Sequence, residues 1–167
     1  MQLKENVRNG KVEHPTELII KEENGYYVFS FTANNSLLFS AGEKYNDSIY
    51  DGSVVEIFIY YGKKNHYYEI EVAPNGTLFL ADIKNINGKF TTNCLKECFF
   101  KADVNIVNDS YKVNIYFPVD KIKTERPLFN AFRVETINDK QYLYALNPTM
   151  CETFHKQEFF IDLLSLL

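Results

Sequence analysis

A chain of 167 residues with 46% hydrophobic and 24% charged content can bury a sizeable core, and residues 1–167 read as one domain. The formal net charge of -4 comes from interspersed acids and bases, with no basic run longer than Lys63–Lys64, which excludes the electrostatic footprint of a nucleic-acid partner. No apolar stretch approaches the roughly 18 to 20 residues that span a bilayer, and the first residues show neither an apolar signal core nor a small-residue cleavage site, so the expectation is a cytoplasmic protein with no membrane partner.

Aromatic residues are 16% of the chain, 12 Tyr and 14 Phe without any Trp, a load that suits strands. In chain order, strands are expected over 17–21, 26–32, 54–61, 66–73, 77–81, 101–107, 111–117, 131–136 and 142–146. They are separated by the turn signals Asn24-Gly25, Gly62 to Asn65, Asn75-Gly76, Asn87-Gly88 and Asn108-Asp109-Ser110. Pro118 to Lys123 reads as a single helical turn, with Pro118 where its missing N–H does no harm. Period-2 patterning gives each sheet one apolar face to bury. The fold class expected is therefore all-β: an antiparallel β-sandwich or jelly-roll, two packed sheets of about nine or more strands.

Three cysteines, Cys94, Cys98 and Cys151, are an odd count that does not read as a disulfide framework. They are expected as buried or half-buried free thiols, since Cys94 and Cys98 lack the second ligand pair of a structural zinc site.

The segment VVEIFIYYGKKNHYYEIEV sets a register. If Tyr61 faces His66 across the polar loop, then Ile59 faces Tyr68, Ile57 faces Ile70 and Val55 faces Val72, forming an apolar inner face. The outer face then carries Val54, Glu56, Phe58 and Tyr60 against Ala73, Glu71, Glu69 and Tyr67. Like charges directly opposite on a sheet destabilise it, so the pair Glu56 and Glu71 requires compensation. The candidates are a register shift, a raised carboxylate pKa, a bound cation, or an Arg from another strand, for which Arg133 is available. Rings beside carboxylates also suit sugar recognition, through stacking on apolar sugar faces and hydrogen bonds with hydroxyls; the bland alternative is an ordinary wet sheet face.

Taken together, YDGSVVEIFIYY, YYEIEVAPNGTLF, YKVNIYFPVDKI, FNAFRVET and YLYALNPTMCETFHKQEFFIDLL resemble, in order and spacing, the successive blocks of carbohydrate-binding module family 9 over roughly residues 16–164. The resemblance implies a β-sandwich of jelly-roll or DOMON-like type that binds a mono- or oligosaccharide between two aromatic side chains without catalysis. It places the first ring on Tyr50, the hydroxyl-binding carboxylate on Glu56, a later-strand Arg on Arg133 and a polar residue near the second ring on Asn147. The family commonly carries Trp where this chain reads Tyr144-Ala145-Leu146, so stacking falls to Tyr50 with Tyr144 or Phe154. His155 is either a donor to a ligand hydroxyl or a structural residue of the closing loop. The candidate ligand-binding set is thus Tyr50, Glu56, Tyr67, Glu69, Glu71, Arg133, Tyr144, Asn147 and His155, with no catalytic residue and no metal ligand.

No cofactor motif is present. The resemblance implies structural calcium, for which Asp47 and Asp51 are the loop oxygens at hand, well short of the ligands calcium takes. Three other readings remain open at this stage: a protein partner docking on a degenerate sugar site, a glycoside hydrolase using two of Glu56, Glu69 and Glu71, and a haem held by Met150 with His66 or His155.

Overall fold

The structure, a computed structural model, describes residues 1–10, 12, 14–34, 38–108 and 110–167. Asp109, in the expected turn of the 101–117 hairpin, lies outside the described residues. Among the described residues twelve strands run in chain order: β1 (Lys4–Glu5), β2 (Thr16–Glu23), β3 (Tyr26–Asn34), β4 (Val54–Ile59), β5 (His66–Val72), β6 (Leu78–Ile86), β7 (Lys89–Cys94), β8 (Lys101–Val107), β9 (Ser110–Pro118), β10 (Leu128–Ile137), β11 (Lys140–Ala145) and β12 (Ile161–Asp162). They form an eight-stranded sheet in the order β1-β11-β10-β4-β5-β6-β7, with β12 pairing β10, and a four-stranded sheet in the order β2-β3-β9-β8. Every pairing is antiparallel.

Local chemistry accounts for the tight hairpins. Asn24-Gly25 and Asn87-Gly88 hold positive φ at both central positions, 52° and 79° in the first and 52° and 81° in the second, the backbone that a two-residue turn between right-twisted strands demands. Asn138-Asp139 closes β10 onto β11 the same way. The expected helical turn after Pro118 is a 3-10 turn over Val119–Lys121.

The sandwich interior lies between the two sheets. Val55, Ile57 and Ile59 of β4 and Ile70 and Val72 of β5 pack there against Phe29, Phe31, Val113, Ile115 and Phe117 of the smaller sheet. Ring contacts cross the gap, Phe29 to Phe129 at 5.6 Å between centroids and Tyr68 to Phe117 at 6.2 Å. Hydrogen bonding spans it too: the buried Tyr111 hydroxyl donates to the Val72 carbonyl at 2.7 Å. Tyr111→Phe removes that bond, and the expected loss is about 1 kcal/mol of unfolding free energy, read from the midpoint of a urea titration.

The other face of the larger sheet is not left to solvent. Phe58, Tyr67, Phe79, Ile83, Phe132 and Val134 form a second apolar cluster there, covered by Ile49, Phe154 and Phe160 from the connecting segments. Among the described residues no helix is long and apolar enough to cross a membrane.

Candidate functional site

The β4–β5 hairpin adopts the register read from its alternation: Val55 opposite Val72, Glu56 opposite Glu71, Ile57 opposite Ile70, Phe58 opposite Glu69 and Ile59 opposite Tyr68. Glu56, Glu69 and Glu71 accordingly share the outer face. All three are buried, with Glu71 wholly inaccessible and Glu56 2% exposed, which corrects the picture of an open, wet surface. Each offers an oxygen within 4.8 Å of the others.

They form the floor of a cavity of about 580 Å³, within the range of small-molecule sites. One wall is the segment before β4. There Tyr50 is half-exposed and packs edge-on against Phe79 at 5.9 Å. Its backbone carbonyl accepts from Gln141 Nε2 at 2.8 Å, and its hydroxyl donates to Ser48 Oγ at 3.0 Å. Gly52 is essential to this arrangement, since a Cβ there would sit 2.6 Å from the Phe39 carbonyl oxygen.

The opposite wall combines β7 with the closing loop. Phe90, also half-exposed, stacks on the His155 ring at 3.7 Å between centroids. Phe154 stacks on Phe132 at 4.2 Å. The loop carrying them is held from far away in sequence: Asn6 Nδ2 donates to Thr149 Oγ1 at 2.8 Å and to the Cys151 carbonyl at 2.7 Å, while Thr149 N donates to Asn6 Oδ1.

Electrostatics here are one-sided. Asp51, Glu56, Glu69, Glu71 and Glu152 all line the cavity, and among the described residues no Lys or Arg does. Burial pushes the Glu56 carboxyl well above the usual carboxylate range, with the charge of Glu69 adding to it. Glu71 is raised in the same way by burial and then by the charges of Glu56 and Glu69, and burial pushes Glu69 up to about 7. The compensation that the Glu56–Glu71 pair requires is therefore retained protons in the ligand-free protein. Burial pulls His155 down to about 4, leaving a neutral imidazole. Its Nδ1 lies 2.6 Å from the Tyr67 hydroxyl and its Nε2 3.9 Å from Glu69 Oε1.

Of the nine expected ligand-binding residues, Tyr50, Glu56, Glu69, Glu71 and His155 line the cavity. Tyr67 does not: it is buried against Phe58 and sets the His155 ring through its hydroxyl. Arg133 and Tyr144 stand on the opposite face of the sheet. Phe132 is the residue opposite Glu56, so Arg133, opposite Val55, points into the sandwich. There its guanidinium donates to Glu135 Oε1 at 3.0 Å and Thr16 Oγ1 at 2.9 Å, and the Tyr144 hydroxyl donates to Glu135 Oε2 at 3.1 Å. The expected salt bridge from Arg133 to Glu56 does not form. Asn147 is structural too, its Nδ2 donating to the Phe159 carbonyl at 2.8 Å and its backbone N–H to Asn130 Oδ1 at 3.1 Å.

Asp47 Oδ2 is taken up by the backbone N–H groups of Glu43 and Lys44, and Asp51 belongs to the cavity, so the two do not assemble a loop calcium site. Of the two histidines in the haem reading, His66 is bonded to Asp82 on the inner face and His155 stands on the outer face. All three cysteines are free thiols, and Cys151 is half-buried as expected, whereas Cys94 and Cys98 are exposed, with Cys94 on the cavity rim.

Sequence reasoning missed Phe90 because β7 was not foreseen. The signal was present: Asn87-Gly88 is followed by Lys-Phe-Thr-Thr-Asn-Cys, an outgoing strand to match β6.

An antiparallel sandwich with one covered concave face, acidic at its floor and aromatic at its walls, defines the architecture. No family model matches the chain, and no curated protein matches it in sequence. Solved structures do match it. A candidate carbohydrate-binding protein from Bacteroides uniformis superposes with a TM-score of 0.78 over 97% of this chain and 84% of that one, at 13% identity. A family 9 carbohydrate-binding module from Caldicellulosiruptor kristjanssonii in complex with cellotriose gives 0.69 over 97% and 80% at 12% identity. A family 9 module from the same organism in complex with glucose gives 0.64 over 97% and 82% at 13% identity. The fold of this chain is that of carbohydrate-binding module family 9.

Proposed function

We propose that the cavity on the outer face of the larger sheet binds a neutral mono- or oligosaccharide without chemical turnover. The observation that carries this reading is the pairing of two half-exposed rings, Tyr50 and Phe90, on walls above a floor of carboxyl groups. The rings offer apolar platforms for the C–H faces of a pyranose, and the carboxyl groups, as acids or carboxylates, offer hydrogen-bond partners to hydroxyls. Phe90 takes the place that the missing tryptophan leaves, in preference to Tyr144. Similarity of fold to modules complexed with glucose and cellotriose supports the same conclusion. Acidic sugars are disfavoured, because five carboxyl side chains and no Lys or Arg line the cavity.

A binding module accounts for the carboxyl arrangement better than a glycosidase does. Hydrolysis uses two carboxyl groups that flank the scissile bond, one as acid and one as nucleophile or base. Glu56, Glu69 and Glu71 sit side by side on two neighbouring strands beneath the cavity. The concave shape likewise favours a small ligand over a docked protein surface.

Calorimetric titration with glucose, cellotriose and glucuronic acid tests the proposal. Saturable binding of a neutral sugar is expected, about 3- to 10-fold weaker in Tyr50→Ala and in Glu56→Gln, given about 0.5–1.5 kcal/mol for a ring contact or a neutral hydrogen bond. Absence of binding by every neutral sugar, or turnover of a chromogenic glycoside, overturns it.

A further inference from the structure

We propose that Glu56, Glu69 and Glu71 form a binding site for one divalent, oxygen-preferring cation of the calcium class at the floor of the cavity, an assignment that does not depend on which sugar the cavity takes.

The observation beyond the clustering of acids is Glu71. Its side chain is wholly inaccessible to solvent, it lines the cavity, and neither of its carboxyl oxygens meets a hydrogen-bond donor. The adjacent Glu69 carboxyl can bridge to it only by keeping a proton. Buried carboxyl oxygens ordinarily find donors, and an orphaned pair is a departure that calls for a missing partner. No basic side chain among the described residues lines the cavity to supply one.

Geometry agrees with a hard cation. Calcium binds oxygens at about 2.3–2.6 Å, so two of its ligands lie at most about 5 Å apart, and the three carboxyl groups already present oxygens within 4.8 Å of one another. Glu71, with both oxygens free, is placed to bind through both. The register puts Glu56 directly opposite Glu71 and Glu69 two residues along the same strand, so one ion between them converts a repulsive cross-strand pair into shared ligation. The donor set is oxygen, which argues against zinc, whose sites draw on Cys sulfur and His nitrogen. Magnesium keeps several waters and dehydrates reluctantly, so it fits a floor built from protein carboxyl groups less well than calcium. Coordination sites left over face the cavity, where water or a ligand hydroxyl fills them.

The ion must displace the protons that the ligand-free cluster holds, so its affinity rises with pH. The test is titration of chelator-stripped protein with calcium chloride alone, followed by calorimetry and thermal unfolding at about pH 8, with magnesium, manganese and glucosamine as parallel probes. One-to-one calcium binding with a raised Tm is expected, weakened at least about tenfold in Glu71→Gln. The metal-free Glu71→Gln protein is expected to melt no lower than wild type, since a neutral amide cannot ionise in the buried site as a carboxyl can, which keeps loss of binding separate from loss of folding. Three results overturn the site: no heat and no Tm change with any of the cations up to about 10 mM, an affinity for calcium that Glu71→Gln leaves intact, or saturation by glucosamine where no metal binds.

Discussion

Arg133→Met is expected to lower the unfolding free energy by about 3–5 kcal/mol while leaving sugar affinity within about twofold of wild type. Arg133 is 1% exposed and Glu135 is wholly buried. The pair is closed by two side-chain bonds from the guanidinium and one from the Tyr144 hydroxyl, and His14 Nδ1 lies 2.9 Å from both Glu135 oxygens. Removing the guanidinium leaves a carboxylate in the sandwich interior with its strongest partner gone, and uncompensated buried charge is among the few mechanisms that produce losses of this size. The double variant Arg133→Met/Glu135→Gln is expected to recover much of the loss, since no charge is then stranded. Denaturant titration of the three proteins supplies the free energies. A stable single variant that has lost sugar binding would instead put Arg133 in the site, where the resemblance alone had placed it.

The second large effect concerns pH. Folded Glu56, Glu69 and Glu71 hold protons that the unfolded chain releases above the ordinary carboxyl value of 4.5. Their contribution to stability is full below that value and is lost as pH rises through their folded values. His155 works the other way: it stays neutral when folded down to about 4, so stability rises with pH until the unfolded imidazole loses its proton near 6.5. The two trends oppose one another below that point. Above about pH 6.5 only the carboxyl cluster remains, and stability in chelator is expected to fall by about 1.4 kcal/mol per pH unit for each proton retained in the fold. Asp51 and Glu152 share the cavity and add negative charge as they face the cluster. In Glu71→Gln the slope flattens by about one proton. Guanidinium unfolding at a series of pH values from neutral upward measures it; a flat profile in wild type would mean that the three carboxyl groups ionise freely.

Most of the architecture was legible because hairpins write their own register. Alternation in 54–73 fixed which side chains of β4 and β5 share a face, down to Glu56 opposite Glu71, and the Asn-Gly turns marked the connections. Arg133 shows where that reasoning stops. Along β10 one face carries Phe129, Ala131, Arg133 and Glu135 and the other Asn130, Phe132, Val134 and Thr136, so both contain apolar and polar residues and alternation does not say which points inward. Its partner β4 is distant in sequence, so no turn supplies the parity. Tyr144 was misplaced for the same reason, as the neighbour of Arg133 on β11.

Burial of the acidic face was equally hidden. It depends on the closing loop folding over Phe58 and Phe132 and on Asn6 clasping Thr149 across 143 residues. The resemblance brought Tyr50, Glu56 and His155 to the cavity, yet it was silent on Phe90, because the strand that carries it lies outside the blocks on which the likeness rests.

The most direct test of a sugar site between Tyr50 and Phe90 is the aromatic region of the NMR spectrum during titration with glucose. Saturable shifts are predicted for the Tyr50, Phe90 and His155 ring resonances, with Tyr111 and Tyr144 unmoved inside the sandwich. Shifts centred on Tyr144, or a spectrum that no neutral sugar perturbs, would contradict it.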